Sequence, residues 1–336
     1  MDYSPLGASG LAVSPICLGT MMFGDRTEAA EAGRIVGAAR DAGINFIDTA
    51  DVYTKGESER ITGRLIRADR ARWVLATKVG NRMSEAPNDG GLGRAWMLRA
   101  LEDSLRRLGT DHVDLWYLHR DDERTPLEET VGAVGDAIRS GKVRYFGLSN
   151  YRGWRIAAVA ECCRRMGVPP PIACQPYYNA FNRMPEVEVL PASAHYGLGV
   201  VPYSPLARGV LTGKYLPGQA PDPATRAGRG DGRMMETEFR MESLVLAQRL
   251  RAHAEAKGMS VADFALRWLL NNRLVVSVLA GPRTLDQWTA YLGALRHGFS
   301  PEDEALVDSL VAPGHPSTPG YNDPRYPFLG RLPRTG

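Results

Sequence analysis

The sequence predicts an α/β fold, a single (β/α)8 TIM barrel, from three observations. Short apolar runs rich in β-branched residues alternate along the chain with stretches of helical period. There are eight such runs. Each unit runs strand then helix, the order that a right-handed crossover turns into parallel strands, and eight units without a long interruption favour a closed barrel over an open sheet. The 336 residues would also fill two ordinary domains, but single barrels reach this length, so one domain over 1–336 is expected.

In order, the expected strands are 16–19, 45–48, 73–79, 113–119, 144–148, 172–176, 200–203 and 275–280. Expected helices occupy 28–42, 57–67, 94–108, 127–139, 152–166, 184–197 and 285–295, with an additional one at 301–311. In the first, Ala29, Ala32, Ile35, Val36 and Ala39 share a face, and Gly43 follows where a C-terminal cap belongs. Thr284 and Gln287 make a capping box for 285–295. Residues 1–15 read as a hairpin, turning at Gly10, that plugs one end of the barrel. Residues 208–240 hold Gly209, Gly213, Gly218, Gly228, Gly230, Gly232 and three prolines. A loop of that length in a compact domain is a lid, a binding loop or disorder. The tail, 312–336, contains six prolines with Tyr321, Tyr326 and Phe328, and is expected to cross a surface without helix or strand.

Composition narrows the function. Lys and Arg number 41 against 38 Asp and Glu, a net charge of +3, with 44% hydrophobic residues. That excludes a disordered chain and a strongly basic nucleic-acid binder. No segment approaches the roughly 20 apolar residues that span a bilayer, and the start of the chain, with Asp2 and the Ser14-Pro15 break, is no signal peptide. Cys17, Cys162, Cys163 and Cys174 include no C-x-x-C, which suits a reduced, cytoplasmic protein with buried thiols. Partners are expected to be small molecules or other subunits, with oligomeric state open.

Several familiar motifs fail. No G-x-G-x-x-G supports a Rossmann site, and GVLTGK at 209–214 lacks a P-loop residue between its glycines and has Tyr215 where Ser or Thr would bind magnesium. GLSNY at 147–151 ends in Tyr, which is wrong for a nucleophile elbow. The histidines form no H-E-x-x-H or close pairing, so no metal is expected.

In such barrels the reacting groups sit at the C-terminal ends of strands. There the second expected strand ends at Asp48 and leads to Tyr53, the third carries Lys78 and the fourth ends at His119. Together these groups could protonate a carbonyl oxygen: an ammonium beside a phenol stabilises its phenolate and lowers its pKa, Asp48 keeps Lys78 charged, and a neutral His119 donates to the substrate oxygen. Singly each has a plainer role: a strand-end Asp as a cap, Lys78 as a rim charge, His119 as a structural histidine.

The segments LGTMMFG (18–24), GINFIDTADVY (43–53), ATKVG (76–80), VDLWYLHR (113–120), GLSNY (147–151), QPYYNAFNR (175–183), YSPLARGVLTGKY (203–215) and AGPRT (280–284) resemble the aldo-keto reductase superfamily. The branch is similar to bacterial reductases related to potassium-channel β subunits. The resemblance implies NADPH held across the C-terminal mouth, with Tyr53 as general acid in a tetrad with Asp48, Lys78 and His119. It implies nicotinamide contacts from Ser149, Asn150, Gln175 and Tyr203, and strand-one contacts from Gly19, Thr20 and Met21. Ser204, Leu206 and Lys214 match a pyrophosphate clamp, with 208–240 strapped over it, and Gly281, Arg283 and Gln287 match the adenosine end. Relatives commonly carry Glu and Asn after that glutamine where this chain has Ala290 and Tyr291; Tyr291 would stack on adenine instead. Arg283, just before a helix whose free N–H groups face the same point, is expected to select the 2′-phosphate of NADPH, the plainer alternative being a solvated loop charge.

The expected activity is NADPH-dependent reduction of an aldehyde or ketone. The alternatives are an NAD(P)+-dependent sugar dehydrogenase and a cofactor-sensing binding subunit with little turnover. Expected substrate contacts are Met22, Phe23, Tyr53, His119 and Arg120, with Trp116 or Tyr117 and the aromatic tail completing the wall. Arg120 suits a phosphate- or carboxylate-bearing substrate, or a rim salt bridge.

Overall fold

The structure is a computed structural model that describes residues 1–327. Its first two strands, β1 (Ser4–Pro5) and β2 (Ala12–Val13), form an antiparallel hairpin. Eight parallel strands follow: β3 (Ile16–Gly19), β4 (Phe46–Asp48), β5 (Val74–Val79), β6 (Val113–Leu118), β7 (Val143–Ser149), β8 (Ala173–Gln175), β9 (Gly199–Val200) and β10 (Val278–Ala280). β10 pairs with β3, and Val200 N–H donates to the Leu274 carbonyl while Val276 N–H donates to that of Val200, at 3.0 and 2.9 Å. These bonds close the ring into the (β/α)8 barrel.

Around it lie α1 (Ala29–Asp41), α2 (Glu57–Ile66), α3 (Arg94–Leu108), α4 (Leu127–Arg139), α5 (Gly153–Met166) and α6 (Val189–Tyr196). They continue with α7 (Gly232–Thr237), α8 (Met241–Ala256), α9 (Val261–Asn271), α10 (Leu285–Gly293) and α11 (Pro301–Leu310). Two of these, α8 and α9, occupy a stretch where the sequence reading assigns no helix. The helix expected at 184–197 is interrupted, because Glu188 leaves helical geometry at φ −139° and separates a short turn (Met184–Glu186) from α6. Strand β9 is shorter than expected because Pro202 has no N–H for the ladder. The 208–240 loop includes α7, capped by the Asp231 carboxylate, which accepts from Met234 N–H at 2.9 Å.

Side chains alternate across each strand. Cys17, Phe46, Val74, Ala76, Leu115, Tyr117 and Val201 fill the barrel interior. Ile16, Leu18, Ile47, Leu75, Trp116 and Leu148 pack outward against the helices. On α9, Phe264, Leu266 and Leu269 are fully buried, each worth about 1.5–3 kcal/mol of transfer free energy. The hairpin closes the N-terminal end: Leu6 and Val13 are wholly buried against the interior cluster. Among the described residues no helix is long and apolar enough to cross a membrane.

Candidate active site

The alternation that buries Phe46, Val74, Ala76 and Leu115 inside the barrel also dictates what stands at its top. Two residues beyond Phe46 comes Asp48; beyond Ala76 comes Lys78; beyond Tyr117 comes His119. A cavity of about 600 Å³ opens there, at the end where barrel active sites are built.

Lys78 lies beneath its floor, bonded to Asp48 and Tyr53, which line it, and is wholly buried. Its ammonium donates to the Asp48 carboxylate, to the Thr49 carbonyl at 2.7 Å and to the Tyr53 hydroxyl at 3.2 Å. Gln175 Nε2 donates to the other Asp48 oxygen at 3.0 Å. The Tyr53 and His119 rings meet edge to face with centroids 5.8 Å apart. All four groups of the expected tetrad therefore come together.

Electrostatics corrects one part of the sequence reading. Burial raises the Tyr53 pKa and outweighs the ammonium of Lys78, which acts to lower it. The phenol is thus fully protonated at neutral pH and is not made acidic in the resting site. Burial also opposes the Lys78 ammonium, but Asp48 and Tyr53 facing it give a net upward shift. His119 is pushed well below its ordinary value by burial, then by Lys78 and Arg120, and its buried Nδ1 has no partner among the described residues. A neutral imidazole of this kind can donate from Nε2.

The residues expected at the nicotinamide are interlocked. Ser149 Oγ donates to the Gln175 carbonyl at 2.9 Å, Asn150 Nδ2 to the His119 carbonyl at 2.9 Å, and the Tyr203 hydroxyl to Asn150 Oδ1 at 2.7 Å. Asn150 reaches this position at φ +61°. The non-glycine residues with left-handed φ among those described, Thr54, Lys55, Asn150, Ser204, Ala207 and Arg208, all follow strands at this end, where backbone strain commonly collects. Gly19, Thr20 and Met21, then Ser204, Leu206 and Lys214, and finally Gly281, Arg283 and Gln287 line the same cavity. Met22 lines it as well.

Other expected contacts lie elsewhere. Phe23 is fully buried in the core outside the cavity, because a turn from Phe23 N–H to the Thr20 carbonyl at 2.9 Å swings it inward and leaves Met21 and Met22 facing the opening. Trp116 points outward to the helices, and Tyr117 lies inside the barrel one layer below His119. A Cβ on Gly147 would come within 2.6 Å of the Tyr117 ring, so only glycine leaves room for it there. Arg120 is exposed at the rim and is not part of the cavity lining. Of the tail, Tyr326 lines the cavity, while Phe328 lies outside the described residues.

The free N–H groups expected beside Arg283 are mostly taken. Leu285 N–H donates to the Glu31 carboxylate at 2.6 Å, Gln287 N–H to Thr284 Oγ1 at 3.3 Å, and Arg283 N–H to Gln287 Oε1 at 2.9 Å. The Gln287 side chain thus closes on Arg283 and not on Thr284, so the expected capping box is half formed. An anion here would rely on the Arg283 guanidinium.

The strap expected at 208–240 roofs the cavity, and what sequence reasoning missed is its arginines. Arg26, Arg208, Arg226, Arg229 and Arg233 also line the cavity. The signal was visible as the arginine density of 208–240. Arg226 Nε pairs with Asp231 at 2.9 Å, and burial together with the charges of Arg208 and Arg26 lowers its pKa against that partner. Arg208 Nε is buried with no partner among the described residues. Crowded guanidinium groups with unused donors fit the phosphates of a dinucleotide. No group of three or more metal-ligating side chains occurs among the described residues.

Comparison with known proteins agrees with this geometry. The model of the Aldo/keto reductase family matches residues 15–312. The uncharacterized oxidoreductase YrpG of Bacillus subtilis (strain 168) is 38% identical, covering 96% of this chain and 99% of the relative. A probable voltage-gated potassium channel subunit beta of Oryza sativa subsp. japonica is 37% identical over 88% of this chain and 91% of its own. The L-glyceraldehyde 3-phosphate reductase of Escherichia coli O157:H7 is 37% identical over 94% of this chain and 93% of its own. With the strand-end groups, the barrel and these matches in agreement, the chain belongs to the aldo/keto reductase family of oxidoreductases.

Proposed function

We propose that the protein reduces an aldehyde or ketone to an alcohol with NADPH, and that Tyr53 is the proton donor. The observation that carries this is the chain of contacts from Asp48 through Lys78 to the Tyr53 hydroxyl at 3.2 Å, beside His119 and open to the cavity. When bound, NADPH supplies a hydride to the carbonyl carbon. Asn150, Gln175 and Tyr203 would hold its nicotinamide end, Arg208, Lys214 and Ser204 its phosphates, and Arg283 its 2′-phosphate.

The chain's own groups handle the proton. His119, neutral, donates to the carbonyl oxygen and orients it. As negative charge gathers there, the oxygen becomes a far stronger base than a phenolate, so the Tyr53 proton moves to it despite the raised pKa of the resting phenol. Lys78 stabilises the phenolate left behind. Water entering through the mouth restores the proton after the alcohol leaves.

The reductase name of the E. coli relatives describes an aldehyde substrate, which agrees with this direction of reaction. All four cysteines are buried and free, in keeping with a cytoplasmic site of action. The channel-subunit name of the rice relative fits the alternative of a binding subunit, and the complete tetrad favours the enzyme over it. A Tyr53→Phe variant should fold and bind NADPH while losing about 10²- to 10⁴-fold in turnover. Absorbance of NADPH, followed with an aldehyde panel, measures this; near-normal rates in the variant would remove Tyr53 from its role.

A further inference from the structure

The tail, described as far as Pro327, is fastened to the body of the protein at two places. At the first, the His315 carbonyl accepts from Arg183 N–H at 3.1 Å and Ser317 N–H donates to the Phe181 carbonyl at 2.9 Å, both on the segment that follows β8. The start of α8 grips the same point. Arg240 Nε donates to Thr318 Oγ1 at 2.7 Å and its Nη2 to Ser317 Oγ at 3.2 Å, and the Ser243 and Ser317 hydroxyls meet at 2.8 Å. The Arg240 guanidinium also lies over the Tyr321 ring, 3.9 Å from its centre. At the second place Arg152, just after β7, donates to the Tyr326 carbonyl at 2.6 Å and to that of Pro327 at 3.2 Å.

Between those fastenings the tail takes hold of the roof. Both terminal nitrogens of Arg233, on α7, donate to the Asp323 carboxylate in a two-pronged pair whose side chains are largely buried. Glu236 of the same helix reaches Arg325 only at 3.9 Å, so the fork is the stronger tie. A helix of six residues has little stability of its own, and what it docks against decides where it stands. The Asp323 carboxylate also accepts from Arg325 N–H at 3.0 Å, and the Asp323 carbonyl accepts from Tyr326 N–H at 3.0 Å. That is a turn opened by a residue type suited to its first position. Arg233 and Tyr326 both line the cavity that holds Tyr53 and His119, and Asp323 stands behind them, outside the lining. One side chain thus ties down the strap and shapes the turn that presents Tyr326.

We infer, on the reading of this cavity as a dinucleotide site given above, that Asp323 is a positioning residue that latches α7, and the strap carrying it, to the anchored tail. A ligand roofed by the strap leaves only when the strap moves, and the strap moves only when the tail yields with it. Tyr326 then shifts in the same step, so the substrate end of the cavity opens together with the cofactor end.

Asp323→Asn tests the latch selectively: its amide keeps an oxygen for Arg325 N–H and suits the turn, while the charge that holds Arg233 is gone. NADPH bound to the full chain and displaced by excess NADP+ in a stopped-flow fluorimeter should leave the variant about tenfold faster, with association little changed. Hydrogen exchange supplies a readout that a general loss of stability would not move. In the native protein NADP+ should slow exchange at the Arg325 and Tyr326 amides, and in the variant that ligand-dependent protection should vanish. Arg240→Gln loosens the tail from α8 without touching the latch or the cavity lining, and should quicken release by a smaller factor, about threefold; it provides both readings if Asp323→Asn fails to fold. Release from Asp323→Asn at the native rate, or NADP+ protection of the two amides that is equal in both proteins, would overturn the latch and leave the reductase reading intact. Failure of the native protein to bind NADPH would remove the dinucleotide reading and the latch with it, whereas a working latch in a protein that reduces no aldehyde would count against the reductase reading alone.

Discussion

The floor and the roof of the cavity are built on opposite principles. The floor consists of strand ends: Lys78, Asp48 and Gln175 are buried, mutually bonded and fixed by the barrel's alternation. The roof consists of the 208–240 loop and the tail, where Arg226 and Asp231, Arg233 and Asp323 hold irregular chain in place by ion pairs. A charge in the floor can be lost only at a cost to the whole structure, because its partner is left stranded away from water. A charge in the roof is less deeply buried than Lys78 and Asp48, so its loss is felt chiefly by what binds there. On the proposed reading, chemistry falls to the part fixed by the barrel and selection among ligands to the part held by irregular chain.

Removing Lys78 is the most severe way to break this contrast. Lys78→Met should abolish measurable reduction and, by leaving Asp48 buried without its cation, cost about 3–5 kcal/mol of stability. Denaturant melts beside rate assays would show both, and an unchanged melt would mean that the floor is not under the tension described. Arg283→Ala probes the cofactor end of the cavity. It should weaken NADPH by about 10- to 100-fold with a much smaller change for NADH, as read by fluorescence titration; equal weakening would argue against a 2′-phosphate contact.

The smallest effect concerns a carboxyl just outside the floor. Asp51 is buried with no side-chain partner for either oxygen among the described residues, and burial, with Glu59 adding to it, pushes its pKa to about 8. The unfolded chain ionises this group near 3.8, so between those values the folded state holds the extra proton and stability falls as pH rises. Asp51→Asn should remove that loss, raising stability relative to the native protein increasingly from pH 4 to pH 8 and changing it little near pH 4. Thermal melts across this range that stay parallel for both proteins would dismiss the effect.

The legibility of the sequence follows the same division. Strand ends could be read because period-two burial and barrel geometry jointly dictate which residues face the mouth; Asp48, Lys78 and His119 needed nothing more. Helix α9 could have been read too, since Ser260 and Asp263 make a reciprocal capping box ahead of an apolar face. Helix α8 offers less, for Met241 and Val245 are exposed while Ser243 is fully buried, which blurs the helical stripe. Phe23 illustrates a third situation. Its position depends on one backbone turn, and adjacent loop residues of equal hydrophobicity give no clue as to which faces in. Of the donors beside Arg283, Leu285 N–H is taken by Glu31, more than two hundred residues earlier, and such a partner cannot be found from local sequence.

The hairpin at the start of the chain has a practical consequence. Since it sits against the lower rim of the barrel, with Ser14 N–H donating to Asn45 Oδ1 at 2.8 Å just before β4, anything fused ahead of Met1 hangs from the side away from the opening. At the far end of the described chain Tyr326 lines the opening itself, with Arg152 gripping its carbonyl at 2.6 Å. Anchoring the molecule to a surface by its first residue would therefore keep the doorway clear.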